Sequence, residues 1–166
     1  MHNIHLSPSC CDRDATDPLW QRTGRRLPRG IRQEAAGMTW QQFIDEYTAT
    51  GTIRLGSWSV APAPGDMVEC RATIAYDDRI MSMSATSTGP VGAMTSILHD
   101  LGVSVQIVRL HQRRLDDRNV SFLLCEHDRR QCWATGDGET TADANINALI
   151  AGANRLLAGR DLGVGL

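Results

Sequence analysis

Several residues in this 166-residue chain are of types that can do chemistry. His99, His111 and His127 are acid–base groups on paper. His99, however, sits beside Asp100 near a helix end, where a cation simply complements the dipole. Cys125 and Cys132 fall on neighbouring strand-like segments and can bridge under oxidation, although packed thiols are the simpler reading. His2, His5, Cys10 and Cys11 have zinc-binding character, but adjacent cysteines lack the C-x₂-C spacing of a structural site. The pairs Asp77-Asp78 and Asp116-Asp117 read as turn residues before metal ligands. Trp58 and Trp133 read as core, because no basic groove accompanies them. All 17 basic residues are arginine. The lack of lysine excludes a Walker phosphate loop, a Schiff-base enzyme and a lysine general base. No nucleophile–base constellation stands out, so the sequence predicts no catalytic residue, no cofactor and no metal.

The most structured stretch is Ala85-Thr86-Ser87-Thr88-Gly89-Pro90-Val91-Gly92-Ala93. It reads as a strand end, a tight turn and a helix start. The hydroxyl residues suit a strand or a cap. Gly89 permits a turn or a close approach, and Pro90 suits the first helical position. Val91, Met94, Leu98 and Leu101 then recur at helical spacing up to Gly102. The run Ala134-Thr135-Gly136-Asp137-Gly138 lies 49 positions after Ala85–Gly89 and also precedes an apolar-striped helix. That pattern is an internal repeat of one supersecondary unit.

These runs are positioned by elements with clear periods. From Met67 the period is two: Val68, Cys70, Ala72, Ile74 and Tyr76 face one way, with Glu69, Arg71 and Thr73 opposite. Asp77-Asp78 turns the chain, and Met81, Met83 and Ala85 line the return. After Gly102 the pattern restarts with strands at 105–110, 120–125 and 132–134. A closing helix over about 141–157 buries Ile146, Leu149, Ile150, Ala153 and Leu157. Gly152 inside that helix costs about 1 kcal/mol of propensity, offset by close approach of a neighbouring element. The sequence therefore predicts an α+β fold of two βββα units related by a pseudo-two-fold axis, with antiparallel sheets and helices on one face. Exposed edges of such units invite dimerisation.

The first 37 residues show no apolar period and read as a disordered Arg/Pro-rich tail. Asp12, Asp14, Asp17 and Glu34 dilute its arginines, which argues against a nucleic-acid arm. Met38 is an alternative start. Residues 38–65 read as a linker helix and connection: Thr39 caps a helix to about 48, and one strand is expected at 57–60. Trp40, Phe43, Ile44 and Tyr47 make that helix's aromatic stripe, which docks either on the following domain or on a partner. Residues 66–160 form the domain and 161–166 a tail. With 42% hydrophobic residues and a net charge of −2, the chain can bury a core and does not attract nucleic acid in bulk. No run of apolar residues is long enough to span a membrane. Five cysteines in no even framework suggest a reducing cytoplasm.

The two βββα units, the turn Ser87–Ala93, the turn Gly136-Asp137-Gly138 and the ending Ala151-Gly152-Ala153-Asn154-Arg155 resemble the C-terminal regulatory domain of 2-isopropylmalate synthase. Met38–Tyr47 is similar to the linker helix before it. The resemblance covers about residues 38–159. It implies a domain that dimerises and binds leucine near the two glycine turns, regulating a separate TIM-barrel region in leucine biosynthesis. A barrel takes about 250 residues, so the chain itself is expected to be non-catalytic. Backbone amides at a turn into a helix hold a carboxylate, and an Ala/Val-lined gap takes an aliphatic side chain. Carried over by position, Ser87, Thr88, Gly89, Pro90, Val91 and Ala93 would form one side of the pocket. Gly136, Asp137, Gly138 and Ala142 would form the other. Implied partners are leucine or a related amino or keto acid, a second copy, and a barrel-bearing synthase subunit docked through Trp40, Phe43, Ile44 and Tyr47. The sequence departs from the family pattern at Ser87, where glycine is usual, and at Gly92. A second turn about two residues short, and Arg118–Ser121 in place of an Ala-Gln-Ala run, are further departures.

Overall fold

A computed structural model describes residues 15–48 and 50–161. The His2/His5/Cys10/Cys11 cluster lies outside the described residues, as does the start of the Arg/Pro-rich tail. The chain divides into two units, residues 1–46 and 47–166.

Over residues 15–37 the structure corrects the expectation of little order. Two six-residue helices, α1 (Pro18–Thr23) and α2 (Arg29–Glu34), precede α3 (Trp40–Tyr47). The organiser is Asp17, which is fully buried. One carboxylate oxygen accepts from Leu19 N at 2.9 Å and Trp20 N at 3.1 Å, capping α1. The other accepts from Leu27 N at 3.0 Å and lies 3.6 Å from Arg32 Nε. Leu19, Leu27, Ile31 and Ala35 are buried around it. Helices this short show too few turns for a period, so a single buried carboxylate supplies the order that the pattern did not announce. Thr39 caps α3 as its sequence predicts. Its hydroxyl accepts from Gln42 N at 3.1 Å while Gln42 Oε1 accepts from Thr39 N at 2.9 Å.

The second unit contains two three-stranded antiparallel sheets, each followed by a helix. The first is β1 (Ile53–Ala63), β2 (Met67–Tyr76) and β3 (Arg79–Ser87), leading into α4 (Pro90–Asp100). The second is β4 (Gln106–Leu115), β5 (Arg118–His127) and β6 (Arg130–Gly138), leading into α5 (Thr141–Asp161). In both, the middle strand in sequence is the middle strand in space. This is the α+β, βββα-repeat architecture that the periods predict.

Two-residue turns close the hairpins at Asp77-Asp78, Asp116-Asp117 and Asp128-Arg129. Their leading aspartates have φ of 51°, 53° and 50°, a left-handed geometry that Asp tolerates.

Two details differ from expectation. β1 spans Ile53–Ala63, not only 57–60, and lies in the sheet rather than in a connection. Its register shifts once, between Leu55 and Trp58, so the alternation of apolar residues changes phase mid-strand and hides the strand. β4 shifts at the matching place, between Ile107 and Arg109. The repeat offset is also not 49. β2 and β5 begin at 67 and 118, β3 and β6 at 79 and 130, α4 and α5 at 90 and 141, an offset of 51 each time. The two turns into the helices are therefore of equal length, from 87 to 90 and from 138 to 141. Ala85 corresponds to Gly136 and Ser87 to Gly138.

One core joins the two repeats. Cys70, Ala72 and Ile74 from β2 and Met94, Ile97 and Leu98 from α4 form one contiguous cluster with Leu123 and Cys125 from β5 and Ile146, Leu149, Ile150 and Ala153 from α5. Trp58 packs against this cluster, as its reading as core predicts. The repeats are also tied by Asn154 of α5. Its side chain accepts from Ile53 N and donates to Ile53 O, both at 2.9 Å. Next to it, the Arg155 guanidinium lies 4.6 Å from the Tyr47 ring centre and donates to the carbonyl of Trp133.

Candidate functional site

The residues expected to bind a ligand fall into two turns, and the structure treats the turns differently. At the first, β3 ends at Ser87 and α4 begins at Pro90. The N-cap is Gly89, in extended conformation (φ −162°, ψ 170°), and no side chain caps the helix. Ala93 N bonds Gly89 O at 3.1 Å, so the amides of the preceding two positions, Val91 and Gly92, point out of the helix start. A Cβ placed on Gly89 would meet nothing within 4 Å, so this backbone can be approached. A Cβ on Gly92 would lie 2.6 Å from Ser87 Oγ. The two departures from the family pattern are thus one arrangement, with the serine side chain occupying the space that the glycine leaves. Ala93 is fully buried in the core rather than lining a surface. Thr88 is exposed.

Beside this turn is a cleft of about 570 Å³, lined by Val91, Gly92 and Thr95 of α4 and by Val105, Gln106, Ile107 and Val108. Thr95, Val105 and Gln106 also line an adjoining cleft of about 520 Å³, with Ser96, His99, Asp100 and Ser104. The combined surface has helix-start amides at one end, an aliphatic wall along β4 and a polar end at His99 and Asp100. Val105, Ile107 and Val108 were not among the expected site residues. Their strand assignment was legible, but which helix the strand faces was not.

The second turn is closed. A Cβ on Gly136 would lie 2.2 Å from Ala148 N, and one on Gly138 would lie 2.3 Å from Asp143 Cβ. Both glycines exist so that α5 can lie directly on β6. The N-cap counterpart of Gly89 is Thr140, whose hydroxyl accepts from Asp143 N at 3.0 Å and donates to Asp143 Oδ2 at 2.8 Å. Asp137 is bridged to Arg118 Nε at 2.6 Å, and its carbonyl accepts from Asn147 Nδ2 at 2.9 Å. Gly136 and Asp137 line a separate cavity of about 290 Å³ with Ile53, Arg54, Leu55, Ile150 and Ala151 among its walls. Within one chain, then, Val91 and Gly136/Asp137 line different cavities. Ala142 is half-buried in the first turn of α5.

The acid–base candidates are engaged in structure. His99 Nδ1 lies 2.7 Å from Ser104 Oγ at the end of α4. His127 Nδ1 donates to the Ser104 carbonyl, and its Nε2 is 3.0 Å from Asp128 Oδ2. His111 stacks on Trp133, ring centres 6.0 Å apart. Of the linker stripe, Phe43 and Tyr47 are buried, Trp40 and Ile44 half-buried. No group of three or more metal-ligating side chains is found among the described residues. Nor is any helix among them long and apolar enough to cross a membrane.

No family model matches the chain. Its sequence is similar to curated 2-isopropylmalate synthases. One from Arthrobacter sp. (strain FB24) is 26% identical over 129 residues, which cover 71% of this chain and 22% of the relative. One from Clavibacter michiganensis subsp. michiganensis is 26% identical over 131 residues, with the same coverage. One from Renibacterium salmoninarum is 24% identical over 136 residues, covering 74% of this chain and 23% of the relative. The chain is therefore similar, over about 71% of its length, to a portion of 2-isopropylmalate synthases that amounts to 22% of theirs.

Proposed function

We propose that this chain is a non-catalytic regulatory domain of the 2-isopropylmalate synthase kind, which binds leucine or a related aliphatic amino or keto acid and self-associates. The observation that carries this reading is the uncapped turn Gly89-Pro90-Val91-Gly92 beside an aliphatic wall. The exposed amides of the helix start take the ligand carboxylate. Val91, Val105, Ile107 and Val108 take its side chain. Thr140 caps the second helix internally, so the first turn is the better anion site. Self-association has support in the four edge strands of the two sheets and in Val108 and Leu110 of β4, which are 45% and 42% exposed. A second copy laid along β4 closes the cleft. The alternative, a docking module that grips a synthase subunit through Trp40, Phe43, Ile44 and Tyr47, fits less well, because Phe43 and Tyr47 are already buried within this chain.

The test is thermal unfolding of the full chain against a panel of amino acids and 2-keto acids, with sedimentation velocity for the oligomeric state. A ligand at a hundredfold excess over its Kd adds about 2.7 kcal/mol of stability, a rise of several degrees in Tm. A shift with leucine or one aliphatic relative supports the proposal. A folded protein that responds to none of them overturns it.

A further inference from the structure

Cys125 of β5 and Cys132 of β6 are directly opposite each other in the antiparallel register. They therefore point to the same face of the sheet, the one that α5 covers. A Cβ on Gly152 of α5 would lie 2.6 Å from Cys125 Sγ, and Cys132 Sγ lies 3.6 Å from the Gly152 carbonyl oxygen. Both sulfurs thus gather under one residue that has no side chain to separate them. The hairpin closes with Asp128 (φ 50°) and Arg129 (φ 65°) between the paired residues His127 and Arg130. In a two-residue hairpin the pair flanking the turn is hydrogen-bonded, and such pairs alternate with non-bonded ones. Cys125–Cys132, two steps further, is a hydrogen-bonded pair with a Cα separation of about 5.5 Å. That is inside the Cα range of about 4.4–6.8 Å that a disulfide spans, and the Cβ atoms, about 5.5 Å apart in such a pair, must close to about 4.5 Å as the bond forms.

We propose that Cys125 and Cys132 form a reversible cross-strand disulfide when the protein meets a peroxide. Cys132 is half-buried and Cys125 fully buried, so Cys132 is the sulfur a peroxide reaches first. Its thiolate attacks the O–O bond of hydrogen peroxide. An S–O bond forms, the O–O bond breaks and hydroxide leaves, which takes up the proton shed by the Cys132 thiol to become one water; this sulfur is thereby oxidised to a sulfenic acid. Cys125 then attacks it: the S–S bond forms, the S–O bond breaks, and the Cys125 proton departs with the hydroxyl as a second water. Two thiols and one peroxide give one disulfide and two waters. A reductant such as dithiothreitol reverses the change. The consequence lies in α5: the bridge forms beneath Gly152, half a turn from Asn154, whose side chain holds the start of β1. Oxidation therefore acts where the two repeats are joined.

The sequence supplies a direct readout. Trypsin cuts after Arg118, Arg129, Arg130 and Arg155, so the two cysteines separate into peptides 119–129 and 131–155. The full-length protein is reduced, exposed to hydrogen peroxide, alkylated under denaturing conditions and digested. The expected result is a linked pair of these peptides in most of the population, lost with dithiothreitol and absent from Cys132→Ser. The proposal is overturned if both peptides run separately with alkylated or over-oxidised cysteines in protein that still unfolds cooperatively. Pairing of Cys125 with the Cys70 peptide 55–71 or the Cys10/Cys11 peptide 1–13 overturns it as well.

Discussion

Asn154 is the single side chain whose loss should most affect how the two repeats join. It is 4% exposed and its partner Ile53 1%. Its carboxamide satisfies both backbone groups of Ile53, each at 2.9 Å. Asn154→Ala leaves that N–H and that C=O buried without their partner, at about 1–3 kcal/mol each. Some of this is recovered where water enters beside Gly51 and Thr50. We expect a net loss of about 3 kcal/mol, which for a chain of this size lowers Tm by roughly 6–12 °C. Asn154→Asp separates the two bonds. One carboxylate oxygen can still accept from Ile53 N–H, but the other faces a carbonyl oxygen and can only donate when protonated. Burial raises that acid above the ordinary aspartate value of about 3.9. A raised acid contributes its stability below the unfolded pKa and loses it as pH rises through the folded one. Asn154→Asp should therefore stand nearest the native protein around pH 4 and fall away from it towards pH 7. Urea unfolding of the three proteins at both pH values checks this. An Asn154→Ala variant within about 0.5 kcal/mol of the parent, the range of ordinary surface changes, would mean that the Asn154–Ile53 bonds do not hold the repeats together. So would an Asn154→Asp variant whose deficit is the same at both pH values.

The two turns give a contrasting pair. Gly136→Ala drives a Cβ to 2.2 Å from the Ala148 backbone N, so α5 must lift off β6, and we expect a loss above about 3 kcal/mol in chemical unfolding. Gly89→Ala meets open space in an extended backbone. It should leave stability within about 0.5 kcal/mol while removing any ligand-induced rise in Tm. Burial and the neighbouring Cys132 push the Cys125 thiol from an ordinary 9.0 up to about 12. Its neutral form stabilises the fold fully below about pH 9, and that contribution is lost as pH rises from 9 towards 12. Stability there should fall by up to about 1.4 kcal/mol per pH unit, a slope that Cys125→Ala lacks in urea titrations. Asp17→Ala removes the acceptor of three amides and should cost about 2–4 kcal/mol. Hydrogen exchange should then show α1 and α2 losing protection while β2 and α5 keep theirs.

How far the sequence could be read depended on whether the information was local. Alternation over Val68–Tyr76, the aspartate-led turns at Asp77 and Asp116, the Thr39 cap and the apolar stripe of the last helix were legible because each follows from neighbours along the chain. Together with the repeat they determined the two βββα units and the place of the first glycine turn. The strand at Ile53 and the exact repeat offset were not legible. A single-residue bulge inverts the alternation without altering composition, and matching glycine to glycine aligned the turns two residues out of step. The tertiary structure alone decided that Gly89 stands open while Gly136 and Gly138 lie against α5. A glycine signals only that a side chain is missing, and what fills the space comes from elsewhere in the fold. It also decided that Asp17 orders a segment with no apolar period and that Asn154 pairs with Ile53, 101 residues away. Buried polar groups find their partners through packing, and spacing in the chain carries no record of that choice.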